Sequence, residues 1–176
     1  LNFGTNNTLD VVTWNLEWFP KNGNITIDSL KSIIEKIDAD VYALQEIDNI
    51  GSFNALKNQL LGYSGLLKNT SNLNLAFLYK NSITVDSAYS ILDDYDYVFA
   101  GRTPFVIDLT FNGMNISLFN NHFKCCGDGT LNTGDSSDEE YRRLQAMNYL
   151  KNYIDNNNYS NAIILGDLND LIEDNI

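Results

Sequence analysis

One short stretch near the end of the chain sets the strongest constraint on the fold. Ala162–Leu165 is a run of four apolar residues, and Gly166, Asp167, Leu168 and Asn169 follow it. An apolar run that a glycine and polar residues interrupt predicts a strand buried on both faces. Its carboxyl end would carry Asp167 and Asn169, at the place where open α/β sheets bind ligands. Gly166 has no side chain and would let a backbone or a ligand approach closely.

A Gly-Asp turn after a strand is common in itself. Asp167 therefore indicates a site only if other strands also end in polar or charged side chains, and a first strand near the start of the chain is predicted to do so. The segment 10–19 is rich in β-branched and aromatic residues and predicts a strand. Side chains alternate along a strand, so Asn15 and Glu17 share one face, whereas Trp14 and Trp18 are predicted to lie in the core. Asn15 is then either a turn residue at a strand end or part of a site.

A helix and a second strand follow and complete a βαβ-like unit. Thr26 is predicted to cap the helix, and apolar residues recur at helical spacing from Ile27 to Ile37. The segment 41–46 then predicts a short buried strand that ends in a carboxylate. Charged residues at strand ends are often only solvated, but Glu46 would lie at the same strand end as Asn15.

The middle of the chain predicts antiparallel strands. After a short helix over 52–61, the strand candidates follow one another without a helix between them, which favours antiparallel pairing. A turn with three aspartates (Asp93, Asp94 and Asp96) is predicted to be solvated, because a calcium loop would need a longer ligand spacing and a glycine. The strand candidates are Leu73–Tyr79, Ile83–Ile91, Thr103–Phe111 and Asn115–Phe123.

Two residues with ionisable side chains border the last two of these strands. Arg102, within Gly-Arg-Thr-Pro, precedes a strand start and is either a surface cation or a fork that binds phosphate. His122 ends the next strand and is the only histidine, which can be structural or catalytic. A polar, Gly-rich loop over 125–135 follows. A helix from Ser136 or Ser137 to about Asp155 then leads to the Ala162 strand.

The composition excludes several classes of protein. The chain has 176 residues, 44% of them hydrophobic and 12% aromatic, which suits one domain with a sizeable core. No apolar run approaches the roughly 18 residues of a membrane helix. The net charge of −12 argues against a broad basic surface for nucleic acid, although a metal and a few cations can still hold phosphate. The acidic, Asn-rich chain begins with Leu1, and we expect an extracellular or cell-surface location.

Two adjacent cysteines leave the redox environment open. Cys125 and Cys126 are too few for a structural zinc site. Neighbouring cysteines can bridge each other only with strain, because disulfides favour more distant Cα atoms. They are therefore either free or paired with a residue outside this chain.

The polar residues at the strand ends, taken in order, resemble the motifs of the endonuclease/exonuclease/phosphatase family, the deoxyribonuclease I-like superfamily. Each motif is common alone, but five in this order are fairly specific, and the resemblance spans nearly the whole chain. It implies one domain over 1–176 of the α/β (α+β) class, with two packed mixed β-sheets flanked by helices in a four-layer sandwich. The motifs are Trp14-Asn15, Gln45-Glu46, Gly101-Arg102-Thr103-Pro104, Asn121-His122-Phe123-Lys124 and Gly166-Asp167-Leu168-Asn169.

The resemblance also implies a metal site. Glu46 would bind a divalent metal, usually Mg²⁺ with Mn²⁺ or Ca²⁺ as alternatives, and Asn15 would lie in the same metal and phosphate site. Magnesium takes oxygen ligands, keeps several waters and needs only one or two carboxylates, so Glu46 and one neighbour are enough.

The remaining residues receive catalytic and phosphate-binding roles from the same resemblance. Asp167 and Asn169 match the pair that positions the attacking water and the phosphate. His122 matches a histidine that contacts the phosphate or assists the leaving group, and Arg102 would be a phosphate contact.

The implied activity is that of a divalent-metal-dependent phosphoesterase, most simply an endonuclease-like phosphodiesterase that acts on nucleic acid as a monomer. Two alternatives remain open: a phosphatase or sphingomyelinase-like hydrolase of a lipid or inositol phosphate, and a noncatalytic binding module on the same fold. The family's last motif, of the Ser-Asp-His type, is absent from the sequence. The chain is then either a fragment or a degenerate member. We expect a fragment that lacks its C-terminal part and is weakly active or inactive alone.

Overall fold

The computed structural model describes residues 4–5, 7–70 and 72–170. In chain order the elements are β1 (Val11–Phe19), α1 (Asn24–Ile37), β2 (Val41–Ile47), α2 (Ile50–Gln59), β3 (Tyr63–Lys68), β4 (Asn74–Lys80), β5 (Thr84–Ser90), β6 (Phe105–Phe111), β7 (Met114–His122), α3 (Glu139–Asn156) and β8 (Ala162–Asp167). A short 3₁₀ helix, Asp93–Tyr95, occupies the predicted acidic turn and is exposed. Within the described ranges the strands form two four-stranded sheets, ordered β1-β2-β4-β3 and β5-β6-β7-β8.

Three groups of buried side chains hold four layers together. The first group, which includes Ile34 and Phe53, lies between the first sheet and helices α1 and α2. The second, which includes Phe77 and Leu118, lies between the two sheets. The third joins the second sheet to α3 and includes Phe119, the residue after Leu118, because successive side chains of β7 point to opposite faces. The predicted four-layer sandwich is therefore confirmed.

Two parallel strand pairs bring the predicted polar residues to one rim of the sandwich. β1 and β2 are parallel and place Asn15 opposite Gln45, with α1 as the crossover. β7 and β8 are also parallel and place His122 opposite Asp167, with α3 as the crossover. Parallel strands end at the same edge of a sheet, so each pair delivers its final residues side by side.

A buried polar network joins the two sheets next to this rim. The side-chain amide of Gln45 on β2 donates to Asn120 Oδ1 on β7 at 2.7 Å. The amide of Asn120 in turn donates to the carbonyls of Leu44 and Ala76, at 3.0 Å each. Both side chains are almost fully buried. Buried amides are stable only when hydrogen-bonded, so this network favours one relative placement of the sheets.

β8 is less buried than its apolar sequence predicts. In the described part of the chain it is an edge strand beside β7, and Ile163 and Ile164 are 38% and 41% exposed. The expectation of a strand buried on both faces is wrong, because a short apolar run does not distinguish a central strand from an edge strand. Leu165 does pack against the core between the sheets.

Trp18 also differs from its predicted position in the core. Its side chain is exposed, whereas Trp14 packs against the core below α1 and α2. The pairing of β1 with β2 is irregular between Asn15 and Phe19, and Glu17 and Trp18 have φ values of 47° and 61°. A bulge of this kind breaks the alternation of side chains, so the period-2 argument fails at Trp18.

The helices begin at other residues than the sequence suggested. Asn49 caps α2 and Asp138 caps α3, each accepting a 2.8 Å hydrogen bond from a backbone N–H three residues later. α1 begins at Asn24 without a side-chain cap, so Thr26 lies inside the helix. Asn and Asp are as favourable as Ser at this position, and the sequence alone did not rank them.

The structure also bears on a membrane-spanning helix and on the two adjacent cysteines. No helix in the described ranges is long and apolar enough to cross a membrane. Cys125 and Cys126 form no disulfide with each other or with any other residue that the structure describes.

Candidate active site

A cluster of metal-ligating side chains lies at the rim where β1, β2, β7 and β8 end. Glu46, His122 and Asp167 each offer one ligand atom, and these atoms all lie within 4.8 Å of one another. Glu46 belongs to the first sheet, whereas His122 and Asp167 belong to the second. The structure thus brings together three of the residues predicted from widely separated motifs.

Asn15 bridges the two carboxylates of this cluster. Its Nδ2 donates to Glu46 Oε1 at 2.9 Å and to Asp167 Oδ2 at 2.7 Å. The amide protons offset the repulsion between the two acids, as hydrogen bonds to charged groups do. Asn15 Oδ1 accepts from the backbone N–H of Glu17 at 2.9 Å, so it is turned away from the carboxylates. A direct metal contact by Asn15 would require the amide to rotate, and this role stays a prediction.

Backbone bulges in β1 and β2 position Glu46. Its Oε2 accepts from the backbone N–H of Trp18 at 3.1 Å. Glu17, Trp18 and Glu46 all have positive φ, between 47° and 61°. For residues with a Cβ, this conformation costs roughly 1–2 kcal/mol each. Such strain persists where the surrounding structure enforces it, and its clustering is typical of functional sites.

His122 is buried next to the carboxylates and stays neutral near pH 7. Its Nε2 lies 3.7 Å from Glu46 Oε1, and its Nδ1 has no hydrogen-bond partner among the described residues. Burial and the positive charge of Arg102 lower the pKa of His122 to about 4, although Asp167 and Glu46 act in the opposite direction. A neutral imidazole can bind a metal or accept a proton, but it cannot donate one as an imidazolium.

Asp167 and Asn169 are held by the turn after β8. Asp167 Oδ1 accepts from the backbone N–H of Asn169 at 3.0 Å, which fixes the carboxylate. Asn169 Nδ2 donates to the carbonyl of Phe123 at 3.0 Å. Gly166 has φ of 130°, and a Cβ there would lie 2.0 Å from the carbonyl oxygen of Asn121. The predicted close approach at Gly166 is therefore confirmed, and the approaching group is the backbone of β7.

Arg102 is neither an exposed cation nor an open fork. It is buried, and its Nε and Nη2 donate to the carbonyls of His122 and Phe123 at 3.1 and 3.0 Å. The guanidinium therefore fixes the backbone at the end of β7. Two of its donors are engaged in this way, and a contact with phosphate stays a prediction.

The sequence as a whole matches a known family. The match to the model of the endonuclease/exonuclease/phosphatase family covers residues 12–173, almost the full length. The chain belongs to this family. No curated protein sequence gives a significant match.

Solved structures share the fold of the family at low sequence identity. TDP2 from D. rerio, complexed with a single-strand DNA product, superposes with a TM-score of 0.73 at 18% identity, covering 93% of this chain and 61% of that one. A family protein from Leptotrichia buccalis C-1013-b gives 0.66 at 16%, covering 92% and 67%. A hairpin-deletion mutant of Staphylococcus aureus beta toxin gives 0.65 at 14%, covering 95% and 69%. The chain thus spans less than two thirds of the D. rerio protein.

Two further arginines support the site of this family member, and the sequence analysis did not single them out. Arg143 Nη1 donates to the carbonyl of Cys126 at 2.8 Å, and its Nε donates to Asp170 at 3.3 Å. It therefore ties the segment after β7 to the segment after β8. Arg142 lies beside it and is also buried. The signal was available: the sequence has only three arginines, and the third is Arg102.

Proposed function

We propose that this chain is the catalytic part of a divalent-metal-dependent phosphodiesterase that acts on nucleic acid. The cluster of Glu46, His122 and Asp167, bridged by Asn15, carries this proposal. A noncatalytic module would not need two carboxylates and a buried histidine held together by a strained backbone. Membership of the endonuclease/exonuclease/phosphatase family supports hydrolysis of a phosphoric ester.

The donor set fits a divalent cation. Glu46 and Asp167 supply carboxylate oxygens, which magnesium prefers, and magnesium needs no more than one or two of them. If His122 also coordinated through nitrogen, the set would suit Mn²⁺ better than Mg²⁺. Held by these residues, the cation would polarise a phosphoryl oxygen and stabilise the charge that develops on it.

The residues around the cation divide the remaining work. Asp167 is fixed through both oxygens, by Asn15 and by the backbone of Asn169, so it can orient an attacking water and accept its proton. His122 is neutral and its Nε2 lies 3.7 Å from Glu46 Oε1, so this nitrogen can accept a hydrogen bond from the attacking water. Arg102 contributes positive charge beside the end of β7, where it holds the carbonyls of His122 and Phe123.

Nucleic acid is the proposed substrate because a phosphodiester flanked by further phosphates suits the cations near the site. The similarity to D. rerio TDP2, which binds a single-strand DNA product, supports this choice. A lipid or inositol phosphate is the competing substrate and belongs in the same assay.

The test is hydrolysis of labelled single-stranded and duplex DNA, RNA, sphingomyelin and an inositol phosphate, with Mg²⁺, with Mn²⁺ and with chelator. The protein should include any sequence that continues this chain. We expect metal-dependent cleavage of a nucleic acid, and a fall of roughly 10²–10³-fold for Glu46→Ala, the range typical of a lost electrostatic contact to the transition state. Glu35→Ala is the matched control, because Glu35 is half exposed on α1 and pairs only with Lys31 in the described structure. Cleavage unaffected by chelator and by Glu46→Ala would contradict the proposal.

A further inference from the structure

All three arginines of the sequence gather beside the end of β7, although the chain carries a net charge of −12. Two of them, Arg102 and Arg142, line a cavity of about 450 Å³ together with Tyr97, Lys124 and Cys125. We call this cavity the arginine pocket. In a chain with 23 acidic and 11 basic residues, such a concentration of cations calls for a reason.

The two buried guanidinium groups of the arginine pocket have no carboxylate within 4.0 Å among the described residues. Arg102 and Arg142 are 5% and 9% exposed, and in the described part of the chain neither forms an ion pair. Asp96 also lines the pocket, but it is exposed and lies beyond ion-pair distance of both arginines. Arg143, in contrast, pairs with Glu140 and Asp170. Buried charges without a partner are unfavourable, so an anion in the pocket would relieve a cost already present in the fold.

The hydrogen bonding of Arg142 leaves a donor unused. Its guanidinium carbon lies 4.3 Å from the ring centre of Tyr97, and its Nη2 donates to the carbonyl of Tyr97. Its Nε is buried without any acceptor among the described residues. Arg102 and Arg142 line the same cavity, so it brings two buried guanidinium groups side by side.

The arginine pocket is connected to the catalytic cluster through the end of β7. Arg102 holds the carbonyls of His122 and Phe123, and Lys124 follows two residues after His122. Two residues of extended backbone span roughly 7 Å, so a group bound beside Lys124 would lie close to a phosphate held at the cluster.

We propose that the arginine pocket binds a second anionic group of the substrate, the phosphate that neighbours the scissile one in a polynucleotide. This inference rests on the proposed function and specifies its substrate as one with phosphates in succession. Guanidinium and ammonium groups bind phosphate through charge-assisted hydrogen bonds. The same cations disfavour a choline headgroup, whose charge is positive, so the pocket selects against a sphingomyelin-like substrate.

The experiment uses short oligonucleotides with one cleavable linkage, in which a neutral methylphosphonate replaces the neighbouring phosphate on either the 5′ or the 3′ side. One of the two replacements should raise KM by about tenfold with little change in kcat, since a charge-assisted hydrogen bond accounts for a factor of this size. The other should have little effect, because a single pocket binds only one of the two neighbouring phosphates. Equal KM values for all three oligonucleotides would overturn the proposal.

Variants test the same contact from the protein side. Arg142→Gln should raise KM by about tenfold for the all-phosphate oligonucleotide and have no further effect on the sensitive methylphosphonate substrate. Arg142→Lys should restore part of the loss. Lys151→Gln removes one charge from the same helix at an exposed position and should leave KM unchanged. If Arg142→Gln does not fold, the methylphosphonate oligonucleotides still test the proposal, because they are used with the wild-type protein.

A binding assay separates this inference from the proposed function. Fluorescence anisotropy with the labelled oligonucleotides is measured in chelator, so that no turnover occurs. Binding that depends on Arg142 and on one neighbouring phosphate, without hydrolysis of any substrate, would support the pocket and contradict the proposed function. Metal-dependent hydrolysis with the same KM after Arg142→Gln and after either methylphosphonate replacement would support the proposed function and overturn the proposed role of the pocket.

Discussion

Lowering the pH from about 7.5 to about 5 should reduce the free energy of unfolding by about 2 kcal/mol through His122 alone. Burial and Arg102 hold the pKa of His122 at about 4 in the folded chain, against 6.5 for an exposed histidine. Between pH 6.5 and about 4, His122 is therefore mostly protonated in the unfolded chain and mostly neutral in the folded chain. The stabilising contribution of the neutral, buried imidazole is complete above pH 6.5 and is lost as the pH falls towards 4.

The sequence makes this measurement unusually clear, because His122 is the only histidine. Urea unfolding in chelator at several pH values between about 5 and 7.5 gives the free energy of unfolding at each pH, and each pKa unit corresponds to about 1.4 kcal/mol. His122→Gln removes the titrating group and serves as the reference, so the difference between the two pH profiles isolates the imidazole.

Two results would refute this reasoning. If wild type and His122→Gln lose stability in parallel between pH 7.5 and 5, the imidazole is not held neutral by the fold. An NMR titration of the folded protein that shows the His122 ring protons changing near pH 6.5, rather than near 4, would independently contradict the lowered pKa.

Three further predictions concern the groups that hold the site together. Asn15→Ala should lower phosphodiesterase activity by about 10²-fold, because the two carboxylates at the rim repel each other once the bridging amide is gone. The thermal midpoint should change little, and an unchanged rate would contradict the bridging role. Gly166→Ala should destabilise the fold by more than about 3 kcal/mol in urea unfolding, whereas Gly113→Ala, also at positive φ but with open space around it, should cost only about 1–2 kcal/mol; equal costs would count against the close approach of β7. Gln45→Leu and Asn120→Leu should each cost about 2–3 kcal/mol, because each leaves buried amide or carbonyl groups unpaired. The double variant should cost less than the two together, and strict additivity would mean that the two amides act separately.

Most strands and the location of the site were predictable because they depend on local patterns. The antiparallel pairing expected between consecutive strands holds for β5, β6 and β7 but is wrong for β4 and β5, which lie in different sheets. Apolar runs that end in Asn15, Glu46, His122 and Asp167 are visible in the sequence, and parallel pairing then places their ends at one rim. β3 was not predicted, because all six of its residues are half-buried and show no clear alternation.

The errors arise where tertiary structure overrides the local pattern. Trp18 is exposed because a bulge, which has no sequence signature here, reverses the alternation of β1. The exposure of Ile163 and Ile164 depends on the position of β8 in its sheet, which the sequence of the strand does not encode. Arg142 and Arg143 are charged residues, which helices usually expose, yet both are buried. Arg142 packs on Tyr97, and Arg143 donates to the carbonyl of Cys126 in the loop after β7.

The hydrogen bond between Gln45 and Asn120 joins the two sheets at the point where each contributes part of the site. Gln45 is the residue before Glu46, and Asn120 is two residues before His122 on the same face of β7. Neither sheet contains a complete cluster: each carries part of it, and the two amides set how far one sheet can slide over the other. A small slippage between the sheets would therefore separate Glu46 from His122 and Asp167 while both sheets kept their own hydrogen bonds. Catalytic rate should thus report on the alignment of the two halves long before circular dichroism registers any loss of secondary structure.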